Sequence, residues 1–316
     1  MDTMVFDVGG SEIKYCVMDD SLERRHYGSV ATPRDTQEHF FEVLRKLYLP
    51  FAHKTCGIAL SLPGIIDSEK GICLGNGYLR YNWGSAVGPA LAEYCGCPVF
   101  MANDAKCAAY AELSRGVLRG VRNAAVYIIG SGVGGGIIIN GSLVNGPHFS
   151  AGEFSQMRYN SDRWEESEGS AGGRLGIFGL FRKYLHYAGL PEDTPVDGKL
   201  IFARYHEGEA AAVRSVEEFC LETAKMIANI SVLLDCEKIA VGGGISRDPA
   251  VTELIARNVA GLYDTGANIW MSGFTAPEVV PCRFGSDANL VGAYLLGPGR
   301  TGQQGAEDAV RINCTD

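Results

Sequence analysis

The sequence predicts an α/β protein made of two related halves, and three observations carry this. A strand–glycine turn–strand pattern opens the chain, TMVFDVGG into EIKYCVMD, and recurs over 123–144 as NAAVYIIG, GSGVGGG and IIINGSLV. VFMAND reads as a buried strand that passes at Asn103-Asp104 into the helical spacing of AKCAAYAELSRG. KIAVGGGI is a further strand running into a glycine turn and then a helix.

Each element follows from its own pattern. TMVFDVGG, EIKYCVMD and RRHYGSV form a short antiparallel meander, with turns at Gly9-Gly10 and Asp19-Asp20. Pro33, then Phe40, Phe41, Leu44, Leu47 and Tyr48 at helical spacing, predict a helix within 33–49. KTCGIALSLPG is a buried strand that ends in Pro63-Gly64, and ICLGNGYLRYNWG is a loop rich in glycine and aromatic residues. A helix is expected from Trp83 to Tyr94, stopped by Gly96. Residues 145–175 are irregular and polar. Helices are expected at 176–188, 198–206, 210–235 and 249–261, a late strand in EVVPCRFG, and a last helix at 287–296. The tail 297–316 is rich in Gly, Gln and Asp and is expected to be disordered.

Composition narrows the function classes. At 316 residues, 46% hydrophobic and 21% charged, the chain has ample core for one large or two medium domains. A net charge of -9 gives no general attraction to nucleic-acid phosphates or an anionic membrane. The ten cysteines lie mostly in apolar runs and include no CxxC pair, so reduced core thiols are expected. No basic-then-apolar leader and no long uncharged apolar run occurs, which places the expected location in the cytoplasm.

Four stretches carry chemistry. A carboxylate at a strand-to-helix joint sits at the open edge of a sheet, where α/β folds build their sites. Asp104 there can take a proton from a hydroxyl, or it can serve as a helix N-cap. In Asp7-Val8-Gly9-Gly10-Ser11 the glycines let backbone N–H groups approach an anion, Ser11 can donate to a phosphate, and Asp7 can hold Mg²⁺ through water. A plain hairpin turn would use the same residues. Gly130-Ser131-Gly132-Val133-Gly134-Gly135-Gly136 holds five glycines in seven residues, a surplus that suggests backbone against ligand. No Gly-Lys-Ser/Thr follows it, and a strand follows instead of a helix, which excludes both the Walker loop and the dinucleotide fingerprint. Gly242-Gly243-Gly244 could let a flat ring lie on bare backbone, or could serve close strand–helix packing.

The order DVGGSEIK, SLPGIID, NDAKCAAYAE, GSGVGGGIIING, AGEF and VGGGIS, from Asp7 to about Leu296, resembles the ROK family of sugar kinases, repressors and related open reading frames. That family shares the duplicated, ribonuclease H-like fold of the hexokinase, actin and heat-shock-protein ATPases. The resemblance implies two actin-like domains around a deep cleft where ATP-Mg²⁺ and a sugar meet. The domains are expected at 1–105, completed by the helix 287–296, and at 106–286. Asp104 matches the family's catalytic base and Asn103 a sugar ligand. Gly64 lies where the backbone meets the sugar, and Glu153 matches a sugar-binding glutamate. Asp7 to Ser11 (with Gly9 and Gly10) and Gly130 to Gly136 (with Ser131, Gly132 and Gly134) match the phosphate loops. Gly242, Gly243 and Gly244 match the adenosine site.

The departures are specific. Most of the family has a histidine three residues after the AGE glutamate and a cysteine-rich loop beyond it, which together hold zinc. Here Gln156 takes that place and RYNSDRWEESEGSAGG has no cysteine, so no structural zinc is expected. Gln156 can still hydrogen-bond a sugar. The family's second sugar glutamate falls on Glu166 counted back from Ser170, or on Glu165 counted forward from Trp164. Asn82 and Trp83 are candidates to line the sugar mouth, with the core as the alternative for the aromatic. The implied activity is phosphoryl transfer from ATP to a hexose hydroxyl, most often O6, by a glucokinase-like enzyme that forms a homodimer. The alternatives are an inactive sugar- or nucleotide-binding protein and a sugar-responsive regulator. Regulators of the family carry a DNA-binding segment before the first phosphate loop, for which six residues before Asp7 leave no room.

Overall fold

A computed structural model of the chain describes residues 2–297. The tail expected to be disordered lies, apart from Gly297, outside the described residues. The chain divides into two compact units, one of residues 2–114, 142–151 and 287–297, the other of 115–141 and 152–286.

The first unit begins with β1 (Asp2–Val8), β2 (Glu12–Met18) and β3 (Arg25–Ala31), an antiparallel meander. Helix α1 (Gln37–Tyr48) starts at Thr36, whose side chain accepts from the His39 N–H. Strand β4 (Thr55–Leu62) runs parallel to β1. A small hairpin follows, β5 (Ile65–Asp67) and β6 (Ile72–Gly75), of which β6 lies inside the stretch expected to be loop. Helix α2 (Val87–Cys95) starts four residues later than Trp83 and ends on a left-handed Gly96. Pro89 explains the late start: it sits in the first turn, where its missing N–H costs nothing, whereas a helix from Trp83 would bury it mid-helix. Then come β7 (Val99–Asn103), parallel to β4, and α3 (Asp104–Arg115). Met4, Phe6, Phe40, Leu44, Ile58, Leu60 and Leu91 form this unit's core.

In the second unit β8 (Ala124–Ile129) pairs antiparallel with β9 (Val133–Ile139). The short β10 (Ser142–Val144) falls in the segment grouped with the first unit. After three 3₁₀ turns come α4 (Ala171–Leu175), α5 (Ile177–Ala188), α6 (Gly198–His206) and the long α7 (Ala210–Leu234). Strand β11 (Lys238–Gly242) runs parallel to β8, α8 (Pro249–Leu262) follows, and β12 (Glu278–Pro281) runs parallel to β11. Tyr127, Tyr184, Phe219, Ile227 and Ile255 centre the core.

Helix α9 (Ala288–Leu296) returns to the first unit. It lies so close to α3 that a Cβ on Gly292 would stand 1.8 Å from the Cys107 carbonyl oxygen. Residues 106–114 group with the first unit, past the break expected after 105. The strand frame occurs twice: β2-β1-β4-β7 and β9-β8-β11-β12 each join a hairpin to two further parallel strands.

Candidate functional site

Three strand ends meet at one edge of the first sheet. In register, Asp7 on β1 faces Ser61 on β4, and Leu62 faces Asn103 on β7. Such an edge, at the carboxyl ends of parallel strands, is where α/β sheets bind ligands.

Asn103 organises this edge. Its Oδ1 accepts from the Lys106 N–H at 3.0 Å, which caps α3. Its Nδ2 donates to the Gly64 carbonyl at 2.9 Å and to Asp104 Oδ1 at 3.0 Å. Asn103 is 5% exposed, so this geometry is held by packing. The N-cap position is therefore filled by Asn103. Asp104 stands half-buried as the first helical residue, its Oδ1 also accepting from the Ala105 N–H at 2.8 Å. Gly64 has φ +106, and a Cβ there would lie 2.5 Å from the Gly75 carbonyl oxygen. The Pro-Gly turn therefore needs its glycine for conformation and for space.

Asp7 is buried, and its Oδ1 accepts from Ser61 Oγ at 3.2 Å and Asn289 Nδ2 at 3.0 Å. The Lys14 ammonium stands 3.6 Å from Oδ2. Burial pushes the Asp7 carboxyl above its ordinary range, against the pull of Lys14, Asn289 and Ser61. Lys14 thus faces the buried carboxylate across the hairpin rather than standing as a plain surface residue. Cys107, fully buried with Asp104 and Asp7 near it, has its thiol pushed well up by burial first and by those charges second. It is an inert core group. Next to Asp7 the chain turns, with the Gly9 N–H donating to the Glu12 carbonyl. Gly10 is half-buried and Ser11 exposed in that turn.

The second unit places the other expected residues. GSGVGGG is not one loop. The turn is Gly130-Ser131-Gly132, closed by the Gly130 N–H to the Gly132 carbonyl, and Gly134 already pairs with Ile128 in β9. Gly135 is a packing glycine, because its Cβ would lie 2.2 Å from the Phe154 ring. The surplus of glycine is thus partly structural. After β11, a Cβ on Gly242 would meet Ile128 at 2.7 Å, and one on Gly243 would meet the Ile129 carbonyl oxygen at 2.1 Å. Gly244 alone faces open space.

Glu153 is half-buried beside Phe154, and Gln156 is exposed with Nε2 3.3 Å from Ser155 Oγ. Glu165 and Glu166 are both exposed, and Glu166 Oε2 accepts from Arg163 Nε at 2.7 Å. Arg163 also pairs with Glu168 at 2.9 Å. Backbone bonds tie this segment, from Tyr159 N–H to the Gly169 carbonyl and from Ala171 N–H to the Met157 carbonyl, both 2.8 Å. Among the described residues no group of three His, Cys, Asp or Glu side chains is arranged to hold a metal ion. None of the nine described cysteines is in a disulfide, and no described helix is long and apolar enough to cross a membrane.

Ser61, Lys106 and Asn289 escaped the sequence reading. Lys106, 3% exposed, donates from Nζ to the Phe149 carbonyl at 2.6 Å. A lysine inside the apolar AKCAA run was the available signal.

Comparisons with known proteins accord with this geometry. A family model described as ROK family matches residues 3–299. A β-glucoside kinase of Klebsiella pneumoniae is 31% identical over 297 residues, covering 93% of this chain and 95% of the relative. An N-acetyl-D-glucosamine kinase of Vibrio atlanticus is 27% identical over 307 residues, covering 92% and 98%. A ROK family protein from Streptococcus pneumoniae TIGR4, solved in complex with sucrose, superposes with a TM-score of 0.80 at 28% identity, covering 93% and 96%. A ROK family glucokinase from Streptomyces griseus, solved with glucose and AMPPNP, has a TM-score of 0.77 at 24% identity over 94% and 99%, a likeness of fold.

Proposed function

We propose, from the premise that the chain belongs to the ROK family, that it is an ATP-dependent carbohydrate kinase in which Asp104 is the general base for a hexose hydroxyl. Its fold is the duplicated actin-like ATPase fold of its relatives. The observation that carries the reading is the division of labour at the end of β7. Asn103 caps the helix, anchors Gly64 and donates to Asp104 Oδ1, which fixes the Asp104 carboxylate at the sheet edge.

On this reading Asn103 and the Gly64 backbone orient the sugar, and Asp104 takes the proton as the acceptor oxygen attacks the γ-phosphorus of ATP. Base catalysis of this kind contributes about 10²–10⁴ in rate. The family resemblance adds Glu153, Gln156 and Glu166 or Glu165 as sugar ligands. The turns at Gly9-Gly10-Ser11 and Gly130-Ser131-Gly132 offer backbone N–H groups to phosphates, Gly134 supports the second from β9, and Gly242–Gly244 receive the adenosine. Asp7, a single buried carboxylate, fits Mg²⁺, which keeps most of its waters and needs few protein oxygens. When bound, Mg²⁺ neutralises phosphate charge.

The acceptor position we propose is O6 of a hexose unit, free or within a derivative. ADP release measured against glucose, mannose, N-acetylglucosamine, N-acetylmannosamine and cellobiose tests this. At least one sugar should drive ADP release with matching sugar phosphate. Nucleotide and sugar binding without any turnover would establish the inactive binding protein instead.

A further inference from the structure

The loop between β6 and α2 has a buried inner side and an aromatic outer side. Backbone bonds close its base, from Gly84 N–H to the Cys73 carbonyl at 2.7 Å and from Cys73 N–H to the Ser85 carbonyl at 3.0 Å. Inward, Asn82 is 2% exposed and accepts from Gln37 Nε2 at 2.8 Å, and the Tyr81 hydroxyl donates to the Pro33 carbonyl at 2.8 Å. Outward, Tyr78 is 72% exposed and Trp83 45%. Asn82 is therefore buried, and Trp83 lies at the surface rather than in the core.

This rim sits against the sugar turn. A Cβ on Gly64 would meet Gly75 and Gly77 backbone at 2.5 and 2.9 Å, and one on Gly77 would meet the Pro63 carbonyl oxygen at 2.5 Å. Loop and turn are in backbone contact. Gly64 is in turn bonded to Asn103, and Asn103 to Asp104. Trp83 is pinned by its indole N–H to the Gly77 carbonyl at 3.0 Å, with the Arg80 guanidinium 5.6 Å from its ring centre. Tyr78 lies alongside Gly10, its ring 3.5 Å from where a Cβ would stand. Two large aromatic side chains are thus held outward on an anchored loop, one contact from the Pro-Gly turn. An aromatic ring held with a face to solvent offers a flat apolar surface for stacking. The apolar C–H face of a pyranose, or an aryl ring, is a flat ligand of matching chemistry.

We infer that Tyr78 and Trp83 form a second-ring platform, which makes the preferred acceptor a glycoside whose distal ring or aglycone stacks there. The assignment rests on the carbohydrate-kinase reading and specifies its substrate class. The loop is specificity-determining: it adds affinity for a second ring and leaves the proton transfer at Asp104 unaltered.

The test compares glucose, cellobiose and phenyl β-glucoside with wild type, Tyr78→Ala and Tyr78→Phe, by ADP release and by titration calorimetry without nucleotide. Wild type should favour at least one glycoside over glucose. Tyr78→Ala should reduce kcat/KM and affinity for that glycoside about threefold to tenfold, the scale of one aromatic contact, with glucose changed less than twofold. Tyr78→Phe should retain the preference. Equal losses on all sugars, no loss, no wild-type preference, or a change of oligomeric state in place of acceptor preference would each overturn the platform. Calorimetry separates the two readings. Absent turnover with a Tyr78-dependent glycoside preference defeats the kinase and keeps the platform, whereas normal turnover without that preference does the reverse.

Discussion

The two units share a strand frame and differ in what stands at the strand ends. In the first, β1 ends beside the carboxylate Asp7, β4 runs into Gly64, and β7 runs into Asn103-Asp104. In the second, β8 runs into Gly130, β11 into Gly243 and β12 into Cys282-Arg283. The same frame thus presents carboxylates at two strand ends in one unit and glycine backbone at two strand ends in the other. A duplicated fold fixes where strand ends fall, and the residues placed there decide what each half offers chemically. A second difference follows. The carboxylate edge is held by side-chain hydrogen bonds, whereas the glycine edge is held by backbone packing with no room for a Cβ at Gly243.

Substitutions at the two edges should therefore fail differently. The largest stability effect belongs to Gly243→Ala, which adds a Cβ 2.1 Å from a carbonyl oxygen at φ +98. It should cost roughly 2–6 kcal/mol, read as a drop in Tm by calorimetry. An unchanged Tm would remove the packing account of that edge. Next, Asn103→Ala removes the α3 cap and a donor to Gly64, for a loss of roughly 1–3 kcal/mol by denaturant titration, together with a raised KM for sugar. Stability loss without any KM change would make Asn103 purely structural.

Asp7→Asn should act in the opposite sense on stability. The folded carboxyl binds its proton more tightly than the unfolded one, so ionising it costs stability. That cost is absent below the unfolded pKa of about 3.9, grows as pH rises through the folded value, and persists above it. The Tm of Asp7→Asn relative to wild type, without nucleotide, should rise between pH 3.5 and pH 7, while activity at pH 7 falls. The reverse trend would mean that pairing with Lys14 outweighs burial. The smallest effect is expected at Gly244→Ala, which meets open space. Its Tm should move by less than about 1 kcal/mol equivalent, with KM for ATP raised if the adenosine lies there.

Most of the frame could be read locally. The hairpin at Asp7, the β7–α3 joint and helices such as 198–206 follow from apolar periodicity and from their caps and turns. Other features depend on partners remote in sequence. Asn289 reaches Asp7 across 282 residues, and no local pattern announces such a bond. Glycine counts misled for a related reason: Gly135 answers to Phe154, a residue outside the motif, rather than to a ligand. The start of α2 was legible after all, in Pro89, but the aromatic run before it imitated a helix.

The central claim is that the carboxylate of Asp104 removes the acceptor proton, and Asp104→Asn measures it most directly. The variant retains a side chain of the same shape, so sugar affinity by calorimetry should stay within a few-fold of wild type. Its kcat for ADP release should fall by about 10²–10⁴. A kcat within threefold of wild type at unchanged sugar affinity would contradict the account.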